Sequence, residues 1–224
     1  EDAVVSALAQ THPCTEVIVV NDGSMFDADW VLGEIASRHP IAVVTQLNSG
    51  LGAARNFGIS QARGRFIVPL DADNMLEPTF VERALEVIER DPRTAFVTSW
   101  SRYIDELGES LPAPNLGYQP IGNASPEVLL NNVAGDAVAL LRRRLFDAGF
   151  AYSEDLTSYE DWQLYQQFHR AGLYGIVIPE RLVRYRVRAD SMIRQIGFPQ
   201  TDRLSGELEA HRREREVQWT LVRG

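Results

Sequence analysis

At 224 residues, with 45% hydrophobic and 24% charged residues, the chain has the composition of an ordinary folded domain, long enough to bury a substantial core. A formal net charge of −9 excludes the broad basic surface that nucleic-acid binding needs, and a single cysteine, Cys14, excludes an internal disulfide and a cysteine-based zinc site. No apolar run approaches the roughly 18 residues that span a bilayer and no basic start leads into an apolar signal segment, so the expected setting is cytoplasmic, or peripheral at the inner face of a membrane.

Ala3 to Ala9 reads as a helix already under way at the first residue, Glu1, so a preceding segment is expected. Glu16 to Val20 is an apolar strand that runs into the turn Asn21-Asp22-Gly23-Ser24. A short helix is predicted over 30–37, a second apolar strand over 41–44, and a helix over 51–63 that Gly64 could end. Arg65 to Leu70 is the third strand, stopping at Asp71-Ala72-Asp73, and Pro78 opens a helix running to about Arg90. A strand over 94–104, a turn over 105–110 and a long loop over 112–126 follow; loops of that length are usually functional. Further on, a short helix is expected over 125–131, an apolar stretch over 137–141, a helix over 159–171, strands near 175–178 and 181–187, and a charged helical tail over 201–223.

Strands alternating with helices in the first hundred residues predict βαβ units: an α/β fold with a mostly parallel, twisted sheet flanked by helices. Ligands bind such open sheets beyond the carboxyl ends of the strands, where residues 21–24, 48–50 and 71–74 all fall.

Asp71-Ala72-Asp73 places two carboxylates at a strand end, a donor set suited to Mg²⁺ or Mn²⁺ shared with substrate phosphates, although the same tripeptide also reads as a plain turn. Asn21-Asp22-Gly23-Ser24 likewise reads as a tight turn. Gly50-Leu51-Gly52-Ala53-Ala54-Arg55 begins like a dinucleotide fingerprint, but Arg55 stands where the third glycine belongs; on the first turns of a helix it could instead approach a phosphate. Ser158-Tyr159-Glu160-Asp161 precedes an aromatic helix and approximates a capping box, with Ser158 as N-cap and Asp161 at the third position.

The order of these segments carries more than any one of them. Residues 16–24, 48–59 and 64–74, then Glu160-Asp161-Trp162, then Tyr185-Arg186 through Ser191-Met192 resemble the inverting family 2 glycosyltransferases of the GT-A fold, over roughly residues 2–192. The resemblance implies a single GT-A-type domain. Residues 1–101 would be its Rossmann-like donor-binding half, with the first strand missing, 102–192 its acceptor-binding half, and 193–224 a helical extension. It implies transfer of a sugar from a nucleotide-sugar donor, usually a UDP-sugar, to a carbohydrate or other hydroxyl acceptor, assisted by a divalent metal (Mn²⁺ or Mg²⁺).

By the same resemblance Asp22 reads the nucleotide base, Arg55 contacts the donor, Asp71 lies near the ribose and Asp73 is the metal ligand. Asp161 is the general base, and Glu160 and Trp162 shape the acceptor pocket. Where many relatives carry a metal-assisting His after Tyr-Arg, this chain has Arg188, which could meet the diphosphate directly. Further domains of a larger chain are compatible with this pattern. A sugar nucleotidyltransferase would show a glycine-rich, lysine-bearing start that is not visible here, and a non-catalytic binding module would differ from an enzyme in lacking turnover.

Overall fold

The computed structural model describes residues 1–24, 27–111, 117–122 and 132–188. The helix expected over 125–131 and the charged tail lie outside the described residues, as does much of the long loop. Helix α1 (Asp2–Leu8) leads to strand β1 (Ile18–Asp22), helix α2 (Ala28–Arg38), strand β2 (Ala42–Gln46) and helix α3 (Leu51–Gln61). Two short strands, β3 (Phe66–Ile67) and β4 (Met75–Leu76), precede helix α4 (Phe80–Ile88) and the long strand β5 (Thr94–Ile104). Strand β6 (Leu140–Arg142), helices α5 (Arg143–Asp147) and α6 (Glu160–Arg170) and strand β7 (Tyr174–Arg186) complete the described elements.

Two sheets result. β1 pairs with β2 in parallel, Ile18 opposite Ala42 through Asp22 opposite Gln46. The second sheet has the order β3-β6-β5-β7-β4. Its long β5–β7 ladder is parallel and its short pairings, β3–β6, β5–β6 and β4–β7, are antiparallel. The two longest ladders thus carry the expected parallel character, and each antiparallel pair includes a strand of only two or three residues.

β5 forms the centre of the core. Thr94 to Thr98 are 0% exposed, as expected for a strand covered on both faces. On one face α4 presents Phe80, Ala84 and Ile88, four residues apart and all buried, against Val97, Leu140, Ile178 and Val183. On the other face Tyr165 stacks on Phe96 with ring centroids 3.8 Å apart, and Phe168 and Leu164 extend the same cluster. Each such side chain contributes about 1.5–3 kcal/mol on burial.

β7 runs unbroken where two strands were predicted. Pro179 has no N–H to give to a ladder, which suggests a break. The pairing instead passes from Ser99–Ile178 to Trp100–Arg181, so an irregularity takes Pro179 and Glu180 out of register and the strand continues.

β1 and β3 do not pair with each other. The segments that hold them, Val17 to Val20 and Phe66 to Leu70, both line one cleft of about 2530 Å³ that extends to the strand ends.

Candidate active site

Asp22 ends β1, and its carboxylate fixes the surrounding loops. It accepts from Gln46 Nε2 at 2.8 Å and from the backbone amides of Ser49 and Gly50, both at 2.9 Å. One carboxylate thereby joins the ends of β1 and β2 to the start of α3, where negative charge is favoured by the helix dipole. Gly23 follows with φ +64, and a Cβ there would lie 2.6 Å from the Asn48 amide nitrogen, so this turn requires glycine.

Asp71 and Asp73 follow the third strand, as expected, and both line the cleft. Asp73 is partly buried and its carboxyl is raised above the ordinary range, first by burial and then by Asp71, with Arg188 and Arg186 opposing. Arg186 donates from Nε to the Asp73 carbonyl at 2.8 Å. Arg188 is exposed at the cleft mouth, close enough to act on Asp73.

Arg55 joins the two halves of the site. Its Nη2 donates to Asp71 Oδ1 at 2.7 Å and its Nη1 pairs with Glu160 Oε1, 105 residues away in sequence. The Arg55 side chain is 8% exposed and its guanidinium lies over the Tyr152 ring at 5.3 Å. Burial works against its charge, but Asp71, Tyr152 and Glu160 outweigh that and hold its pKa above the ordinary value. α3 can bring Arg55 this far in because Gly52, one turn earlier, packs against the backbone of Ser153, where a Cβ would meet the carbonyl oxygen at 2.0 Å.

Asp161 sits in the first turn of α6, beside Glu160, and faces the cleft. Its Oδ1 accepts from the Trp162 amide at 2.7 Å. Burial first, then the Glu160 charge, pushes its carboxyl up to about 7, against the pull of Arg55. The expected capping box does not form. Tyr159 is the N-cap, at φ +64, with no side-chain cap bond. A left-handed tyrosine is strained by about 1–2 kcal/mol, which the buried Trp162 and Leu156 beside it offset. Trp162 is 0% exposed, packs with Leu156 and Tyr159 and is not among the residues lining the cleft, while Glu160 lines the cleft with its carboxylate held by Arg55.

Among the described residues no three His, Cys, Asp or Glu side chains converge as a ready-made metal centre. The chemistry of the donor set still fits a hard cation that draws its remaining ligands from water or phosphate. Asp73 offers an oxygen ligand with no salt bridge among the described residues, whereas Asp71 is already held by Arg55.

With this geometry in view, the glycosyl transferase family 2 model matches residues 1–150. The chain belongs to glycosyl transferase family 2. It is 31% identical over 171 residues to the chondroitin synthase of Escherichia coli, a match covering 75% of this chain and 24% of that protein. It is also 31% identical over 195 residues to an uncharacterized glycosyltransferase of Rickettsia bellii (strain RML369-C), covering 84% and 27%. The chain spans about a quarter of the length of these curated relatives. In fold it is similar to S. aureus TarS residues 1–349 in complex with UDP-GlcNAc, with a TM-score of 0.68 at 18% identity over 92% of this chain and 61% of that one. The TarS complex with UDP aligns with a TM-score of 0.65 over 92% and 60%. The family 2 chain therefore has a GT-A fold. No helix among its described residues is long and apolar enough to cross a membrane.

Sequence reasoning missed Asp136, Asn132 and Tyr118 of this family 2 site, all of which line the cleft. A lone acid directly before the apolar stretch 137–141 was the only sequence signal for the first of these.

Proposed function

We propose that this chain carries the catalytic centre of a glycosyltransferase that moves a sugar from a UDP-sugar to an acceptor hydroxyl with inversion. The supporting observation is the Arg55 bridge, which fastens the Asp71-Ala72-Asp73 strand end to Glu160-Asp161 across one cleft. Asp22 reads the base and Asp71 lies near the ribose. Asp161 accepts the proton as the acceptor oxygen attacks the anomeric carbon on the face opposite the leaving group, and one displacement inverts that centre. Its raised pKa suits a base working near neutral pH. Arg186 and Arg188 bring positive charge to the diphosphate side of the cleft, and Glu160 and Trp162 shape the acceptor pocket, Glu160 at the cleft wall and Trp162 from the core. Asp73 would hold Mn²⁺ or Mg²⁺, and the bound cation supplies neutralisation of charge on the departing nucleotide diphosphate. The TarS complexes with UDP and UDP-GlcNAc support this choice of donor.

The division into a donor half (1–101) and an acceptor half (102–192) belongs to the same proposal. So does an extended segment filling the space between β1 and β3, which do not pair with each other, and completing the base pocket, and a working place in the cytoplasm or at the inner face of a membrane. Calorimetric titration with UDP, with and without Mn²⁺, tests the donor assignment. Binding strengthened by the metal, and metal dependence lost in Asp73→Ala, is the expected result; UDP binding indifferent to both would overturn the metal role, and absence of UDP binding would overturn the donor.

A further inference from the structure

A second concavity lies at the start of the third strand rather than beyond its end, where Asp71 stands. It encloses about 600 Å³ and is lined by Arg65, Arg142, Arg143 and Arg144 together with Phe66, Glu89 and Asp147. The pairing of β3 with β6 builds it: Phe66 stands opposite Arg142, and Arg143 and Arg144 follow at once on α5. Arg65, Phe66 and Glu89 also border the large cleft, whereas Arg142, Arg143, Arg144 and Asp147 do not.

Four guanidiniums meet two carboxylates here, in a chain whose net charge is −9. Arg65 pairs with Glu89 and Arg143 with Asp147, both at 3.3 Å and both largely open to solvent, where such pairs are weak. Arg142 and Arg144 have no carboxylate partner among the described residues. Their bonds go to main-chain carbonyls instead: Arg142 donates from Nε to Thr94 at 2.7 Å and from Nη2 to Ile88 and Asp91, and Arg144 donates from Nη2 to Pro92 at 2.7 Å. These bonds hold the two guanidiniums in place without neutralising them. Arg65 and Arg142 also lie over the Phe66 ring, at 5.5 and 5.7 Å from its centre, so one aromatic side chain keeps two cations close together. The crowding is felt: burial first, and then Arg144, hold the pKa of Arg142 below its ordinary value.

Fixed cations in excess of their counter-charges are relieved by an anion. The planar guanidinium fork matches the paired oxygens of a phosphate, and several forks around one concavity can share its three or four oxygens. A neutral ligand would leave the repulsion standing, and a metal ion would add to it. We infer that this pocket binds a phosphate group, gripped by Arg142 and Arg144 with Arg65 and Arg143 beside them, and carried either by an anionic lipid headgroup or by a soluble phosphorylated molecule. The site is separate from the carboxylates of the cleft and does not depend on the donor read there.

The test is made on the full chain at low ionic strength with two kinds of probe. Calorimetry reads inorganic phosphate and pyrophosphate; sedimentation reads vesicles of phosphatidylcholine with and without phosphatidylglycerol. Wild type is compared with Arg142→Gln, Arg144→Gln and Arg83→Gln, with thermal melting as the folding control. Arg83 pairs with Glu86 and Glu180 and does not line the pocket, so its substitution changes the net charge equally without touching the site. Wild type is expected to bind at least one kind of probe, about tenfold more tightly than Arg142→Gln or Arg144→Gln, with Arg83→Gln within about twofold of wild type. Vesicle binding that requires phosphatidylglycerol identifies a lipid headgroup, and free phosphate bound without vesicle binding identifies a soluble ligand. Arg144 is exposed and gives up a single carbonyl bond, so its variant decides the matter if Arg142→Gln fails to fold. Binding of neither probe, binding that survives substitution in whichever of the two variants fold, or an equal loss in Arg83→Gln overturns the site.

Discussion

The two sheets are built to different standards. In the five-stranded sheet, β5 is sealed from Thr94 to Ser99 and carries aromatic rings stacked on Phe96. In the two-stranded sheet, β1 is only partly buried from Ile18 to Val20, Val43 of β2 is 36% exposed, and Ile18 to Val20 line the cleft. The carboxylates given chemical tasks, Asp73 and Asp161, are anchored to or beside the sealed sheet and its covering helix. Asp22, given a recognition task, stands on the open one. Proton transfer tolerates little misplacement, so its groups belong on the rigid element, while a surface that must admit and release a nucleotide gains from being lightly packed.

Paired truncations put the contrast in numbers. Phe96→Ala should destabilise the chain by about 3–5 kcal/mol in urea denaturation, because it empties a fully enclosed site. Val43→Ala should change it by about 0.5 kcal/mol, as expected of a surface position. Equal losses would show that the two sheets share one cooperative core.

Arg55 tests the connection between the regions, since it rises from the helix that covers β1 and ends on Asp71 and Glu160. Arg55→Ala leaves Glu160 buried without its cation, which should lower stability by about 3 kcal/mol and abolish transfer. A stable variant that still turns over would separate the two halves energetically.

Much of this was legible in the sequence, and the failures have physical reasons. β1, β2, α3, β5 and α6 came through because each is a sustained periodic or apolar run bounded by turn residues. β3 and β4 keep only two paired residues each, too few to leave a period. β7 was split at Pro179 because a bulge that absorbs a proline depends on its partner strand, which local sequence does not display. In the site, the acid pairs at strand and helix ends announced themselves by position. The Arg55–Glu160 pair did not, because contacts separated by 105 residues leave no local mark. Asp136 stayed hidden for the same reason, and the capping-box pattern misled because Tyr159, not Ser158, makes the turn into α6.

A smaller effect concerns pH. Asp161 must be ionised to act as a base, and its pKa is raised to about 7 by burial and by Glu160. kcat/KM should therefore fall roughly tenfold per pH unit below about 7, far above the range where an ordinary carboxylate would begin to limit the rate. A profile flat down to pH 5 would show that the cleft does not hold Asp161 in this state.

The most direct measurement is sugar transfer, or hydrolysis of the preferred UDP-sugar, by Asp161→Asn alongside its UDP affinity. The account predicts a turnover loss of about 10²–10⁴-fold with UDP binding unchanged; turnover close to wild type would contradict Asp161 as the base, and with it the catalytic centre described above.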